Sequence, residues 1–170
     1  MRLALQEDVE NLKVMFEEST VHANQVGHID RPDKFDDQYL TPLIETKELF
    51  CFEVSDRIVG AARLTDIEPS PAIWEDLEAK YLYIGRLASG NLVRNSDFFQ
   101  KVMLIEITDE AKKRDKRGLR LSCLADNQRL IDFYSRIGFS NIGKSQIFSS
   151  FYEKQIYVTK FELGVVFDLR

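Results

Sequence analysis

Hydrophobic and polar positions alternate along this chain with two periods, and the change from one to the other marks its elements. After Gly118, which signals a turn, Leu119, Leu121 and Cys123 alternate with polar groups, as in a short strand that stops at Ala125. Asp126 or Asn127 can cap the helix that follows, because Leu130, Ile131, Phe133, Tyr134 and Ile137 recur at three- and four-residue spacing. Gly138 supplies a left-handed C-terminal residue. Phe139 folds back on the helix as the hydrophobic partner in a Schellman-type end, and Ile142 starts another strand.

The same reading covers the rest. Residues 2–5 form a first strand, and Val9, Leu12, Met15 and Phe16 carry an amphipathic helix to about Ser19. Glu7 and Asp8 in its first turn favour the positive end of the helix dipole. Residues 21–31 lack periodicity, and a second helix spans residues 33–44 with Phe35, Tyr39, Leu40 and Leu43 on one side. Residues 49–54 and 58–64 make a hairpin around Ser55-Asp56-Arg57, with Gly60 marking a close approach or a bulge. Residues 66–78, with Pro69 and Pro71, read as a long turn or a short helical insertion, in which Trp74 either anchors the loop to the body or sits over the acceptor site. A central strand follows at residues 81–89, then a long helix from Phe98 to about Asp115. Residues 146–151 and 155–163 read as two final strands, with a short edge segment at 165–169.

The segment Asn127-x-x-Leu130-x-x-Phe133-Tyr134-x-x-x-Gly138-Phe139 resembles the last signature of the GNAT superfamily, the acyl-CoA-dependent N-acyltransferases. The likeness extends more loosely from Met1 to Leu163. It implies one α/β domain over residues 1–170: a GNAT-like mixed, mostly antiparallel sheet of about seven strands, with parallel, splayed fourth and fifth strands and four main helices. It implies that the first two helices and their connection line the acceptor pocket. It also implies that main-chain groups at Leu87, Ala88 and Ser89, after Arg86, bond the pantetheine of acetyl-CoA. Leaving those groups unpaired would be costly.

The family holds the pyrophosphate on an Arg/Gln-x-x-Gly-x-Gly/Ala loop at a helix N-terminus, where backbone N–H groups and the dipole meet the anion. That loop falls on Arg94-Asn95-Ser96-Asp97-Phe98-Phe99. Arg94 matches, but the two glycine positions hold Asp97 and Phe99, which bring charge and bulk. Asp97 with Gln100 also resembles a capping box. Three outcomes follow: coenzyme A binding through shifted amides with Arg94 and Asn95 helping, a different acyl donor such as a carrier-bound chain, or a binding or regulatory module without catalysis.

Tyr134 matches the residue that in many family members protonates the departing thiolate. A phenol near pKa ~10 suits a thiol near ~8.5. Asn127 and Ile131 fall among the positions implied to touch the cofactor, although N-capping explains Asn127 equally well. The general base has no assignment: Tyr81, Tyr83 and Glu75 lie near the implied acceptor face, and the fourth strand lacks the carboxylate that some relatives use.

Composition narrows the partners. With 23 basic and 28 acidic residues and a net charge of −5, no global basic surface for nucleic acid is expected. The basic run from Lys112 to Arg117 complements a helix C-terminus. Cys51 and Cys123 fall inside strands, as buried thiols of a reduced, cytoplasmic protein. His22 and His28 read as loop histidines, without the spacing of metal ligands. The start turns acidic too early for a signal peptide and no apolar run approaches membrane-spanning length, so no membrane partner is expected. The expected acceptor is a small-molecule or peptide amine. Acidic Glu75, Asp76 and Glu78 agree with a cation, and exposed edges in the last two strands offer a surface for a homodimer.

Overall fold

The computed structural model describes residues 1–25, 35–67, 73–74, 80–94, 96–149 and 153–165. In chain order its elements are β1 (Arg2–Leu3), a 3-10 turn (Gln6–Asp8), α1 (Val9–Gln25), α2 (Asp37–Glu45), β2 (Leu49–Val54), β3 (Arg57–Thr65) and β4 (Tyr81–Ser89). There follow α3 (Asp97–Lys113), β5 (Gly118–Leu124), α4 (Gln128–Arg136), β6 (Ser140–Ser149) and β7 (Lys154–Gly164). Among the described residues the strands form one seven-stranded sheet of order β1-β2-β3-β4-β5-β7-β6. β4 and β5 run parallel; β1–β2, β2–β3, β5–β7 and β6–β7 are antiparallel.

The contacts divide the chain into two compact units, the first Met1–Leu64 with Arg86–Leu104, the second Thr65–Gly85 with Ile105–Arg170. In the first, Leu12, Met15 and Phe16 of α1 and Leu40 of α2 pack on Leu49, Cys51, Ala61 and Ala88 of the strands. Phe35 stacks on Phe16 at 4.2 Å and meets Tyr39 edge-on. The apolar spacing of α1 thus finds its partner in the alternating inward residues of β2 and β3. Asp8 anchors its start, since its carboxylate accepts the Leu5 N–H and both Arg2 amino groups, at 2.6 and 2.9 Å.

Gly60 does both things expected of it. The β2–β3 register slips between Phe52 and Glu53, beside it, and a Cβ on Gly60 would sit 3.1 Å from the Ala88 carbonyl oxygen. In the second unit, Ile73 and Trp74 cover Tyr81, Tyr83 and Val158, and Ser145 donates to the Ile73 carbonyl at 2.8 Å. Trp74 is therefore a buried anchor.

Several boundaries differ from the sequence reading. α1 runs six residues past Ser19 to Gln25, so His22 lies in its last turn and not in a loop. α2 starts at Asp37, because Asp36 caps it by accepting the Tyr39 N–H. Residues 140–149 form one strand where two were expected. Gly143, at φ 116°, and a register shift between Asn141 and Gly143 let β6 kink and continue. His28, Glu75, Asp76, Glu78, Asn95 and residues 166–169 lie outside the described residues.

Candidate functional site

In the first unit the candidate groups begin where β4 changes course. Arg86 has φ 49°, a left-handed conformation that costs a non-glycine residue about 1 kcal/mol or more. Its Nε donates to the Tyr39 hydroxyl at 2.6 Å, and its guanidinium lies 5.6 Å from the centre of that ring. Nothing in the sequence joins Arg86 to Tyr39, 47 residues away. Beyond it, Leu87 and Ser89 are half-buried, whereas Ala88 is buried in the core.

Arg94 is committed to its own unit. Its guanidinium donates to the Asn91 side chain at 2.5 Å, to the Glu18 carbonyl at 2.9 Å and to the Ser89 carbonyl at 3.4 Å. Glu18 returns the contact, its carboxylate accepting the Asn91 N–H at 3.0 Å. The loop is thereby tied to α1, and a concavity of about 350 Å³ opens there between Glu17, Glu18, Val21, Asn91 and Arg94.

At the start of α3 the residues differ from a capping box on Asp97. Ser96 accepts the Phe99 N–H on Oγ at 3.1 Å and the Gln100 N–H on its carbonyl at 3.0 Å, so Ser96 is the cap and Asp97 the first helical residue. Gln100 instead reaches back to the Arg94 carbonyl at 3.2 Å. Phe99 does not crowd the loop. It is buried, meets Phe52 edge-on at 6.4 Å, and uses the space that Gly60 leaves. Asp97 and Phe98 are exposed.

In the second unit, β4 and β5 register only over Tyr81–Tyr83 and Gly118–Arg120. β5 then continues against β7 to Leu124, and the Ala125 N–H closes on the Tyr157 carbonyl at 2.9 Å. Asn127, not Asp126, caps α4 by accepting the Leu130 N–H at 3.1 Å. The other end has both Schellman bonds: the Phe139 N–H reaches the Tyr134 carbonyl at 3.0 Å and the Gly138 N–H reaches Ser135 at 3.2 Å, with Gly138 at φ 105°. These two ends hold α4 at its length.

Tyr134 is buried among three rings, 5.3 Å from Phe133, 6.1 Å from Phe139 and 5.4 Å from Phe161. Ile131 is half-buried on the same helix. Cys123, on β5, is buried, and that burial, with some help from Asp126, pushes its thiol up to about 11. Tyr81 is occupied, because its hydroxyl donates to Glu162 at 3.1 Å. Among the described residues no three His, Cys, Asp or Glu side chains converge as a metal set. Within the basic run at the end of α3, Lys113, Arg114 and Lys116 pair with Glu110 and Asp66. No helix among the described residues is long and apolar enough to cross a membrane.

No protein-family model matches the sequence, and no curated protein matches it. Solved structures do. An acetyltransferase of the GNAT family from Listeria monocytogenes superposes with a TM-score of 0.74 over 95% of this chain and 93% of its own, at 21% identity. This chain has the GNAT fold. A ribosomal-protein-alanine N-acetyltransferase from Brucella melitensis shares that fold at TM-score 0.69 and 15% identity, over 96% of this chain and 98% of its own. So does a Salmonella typhimurium protein assigned as an acetyltransferase and solved with its cofactor acetyl-CoA, at TM-score 0.69 and 13% identity over 99% and 95%. The parallel β4–β5 pair and, among the described residues, the four helices are features that the resemblance at Asn127–Phe139 implied.

Proposed function

We propose that this protein is an N-acetyltransferase that moves the acetyl group of acetyl-CoA to a primary amine by direct attack. The reading is carried by α4, where a capped start at Asn127, a buried tyrosine at Tyr134 and a glycine stop at Gly138 occur together on a GNAT fold. The reaction needs an immobile donor, an uncharged amine and a proton for the thiolate. In this reading main-chain groups at Leu87, Ala88 and Ser89 hold the pantetheine arm, the segment from Arg94 to Phe99 meets the pyrophosphate, and Asn127 and Ile131 complete the donor side. Tyr134 gives its proton to the thiolate. The acceptor is a small-molecule or peptide amine. A homodimer through the outer edge of β6, where Ile142 and Phe148 are exposed, belongs to the same proposal.

One observation favours a second reading, a binding module without catalysis. Arg94, the residue expected to meet the anion, already bonds Asn91, Glu18 and Ser89, and the loop lacks both glycines. Thermal unfolding with acetyl-CoA separates the two, since a ligand of the native state must raise its stability. The transferase reading predicts a rising melting temperature, thiol release with an amine panel, and a loss of about 100-fold in turnover for Tyr134→Phe. No shift at millimolar acetyl-CoA rejects it.

A further inference from the structure

Thr159 of β7 is fully buried, and its hydroxyl has no hydrogen-bond partner. Its cross-strand neighbours are Cys123 on β5 and Lys144 on β6. The Cys123 thiol does not satisfy it. Alternate residues of a strand share a face, so Thr159 stands on the same side of the sheet as Phe161, the ring on which Tyr134 rests at 5.4 Å. A buried hydroxyl without a partner costs stability, whereas valine fills the same space with no such cost. Packing alone therefore gives no reason for threonine here.

We propose that Thr159 is a positioning residue for Tyr134, an inference that rests on the transferase reading above. With acetyl-CoA bound, the Thr159 hydroxyl donates to Tyr134 Oη. When the phenol proton passes to the sulfur of the departing thiolate, the C–S bond having broken and the amide C–N bond formed, the phenolate left behind is held by that hydrogen bond. The phenolate then regains a proton from solvent, into which the attacking amine has released its own.

The test compares wild type, Thr159→Val, Thr159→Ser, Tyr134→Phe and the double variant Tyr134→Phe with Thr159→Val, using acetyl-CoA and a panel of primary amines. Without ligand, Thr159→Val melts at the wild-type temperature or above it. Its turnover falls about tenfold or more, while KM for acetyl-CoA moves by less than about twofold. Serine restores turnover, and valine costs nothing further once Tyr134 is phenylalanine. Wild-type turnover in Thr159→Val, a serine variant as slow as the valine one, an equal loss in the phenylalanine background, or a lowered melting temperature would each overturn the inference while leaving the transferase intact. A wild-type protein that acetyl-CoA neither stabilises nor turns over removes the transferase reading itself, and this inference with it.

Discussion

Arg120 lies over the face of Tyr81, its guanidinium carbon 3.4 Å from the ring centroid. Trp74 stands 4.5 Å from the same carbon, and Glu162 takes the Arg120 Nε and Nη2 on one oxygen at 3.1 and 3.0 Å. Its other oxygen accepts the Tyr81 hydroxyl. The three registered pairs between β4 and β5 include both Tyr81 and Arg120, so this cluster locks the closed end of the parallel pair. Removing one partner of a buried ion pair strands the other, and Arg120→Met is expected to lose about 3 kcal/mol in urea unfolding. Changing Glu162 to Met as well should cost less than the sum of the single changes.

Two glycines should respond to alanine for different reasons. At Gly138 there is room, the nearest atom to a new Cβ being Leu163 Cδ1 at 3.8 Å, so the cost is the positive φ alone, about 1 kcal/mol. At Gly118 the backbone is permissive, but the Cβ would lie 2.9 Å from the Leu163 carbonyl oxygen and from the Tyr81 ring. Gly118→Ala is expected to lose about 2 kcal/mol and to disturb the near-ultraviolet signal of Tyr81.

Acid stability should report on Asp8. The hydrogen bond from Arg2 holds its carboxyl below the usual range, against the opposing effect of burial and with help from the Leu5 N–H. A lowered folded pKa contributes stability that is whole above the unfolded value of about 3.9 and drains away as pH falls through the folded one. Asp8→Asn should therefore lower the melting temperature at pH 7 and flatten its decline below about pH 4.

Both thiols should be silent in the folded protein. Burial pushes Cys51 up to about 12 and Cys123 up to about 11. At pH 8 a thiol-specific disulfide reagent should count neither in the native state and both after unfolding. The raised values also favour the folded state below the unfolded thiol pKa of about 8.5, an advantage lost as pH climbs through the folded ones. Cys51→Ser should then reduce the alkaline decline in stability.

What the sequence made legible was local. The cap, apolar spacing and glycine end of α4 lie within 13 residues and report directly on backbone geometry. The strand period also exposed the hairpin and both buried cysteines. Breaks in period hide elements: the bulge at Gly143 shifts which face each residue takes and divides residues 140–149 into two apparent strands, and Val21, His22 and Ala23 hide the last turn of α1 by lacking a clear apolar stripe. Capping on Ser96 was missed by one residue, since Asp97 is an equally good cap in isolation. The ties of Arg94 to Glu18 and of Arg86 to Tyr39 span 76 and 47 residues and leave no local signature.

The left-handed backbone at Arg86 makes that position informative in a selection experiment. A library randomised there and screened for folding alone should enrich glycine and asparagine, which relieve the twist. Screened for acetyl transfer, it should return arginine if the guanidinium is what the position is kept for. The survivors would thus separate what the chain tolerates from what it uses.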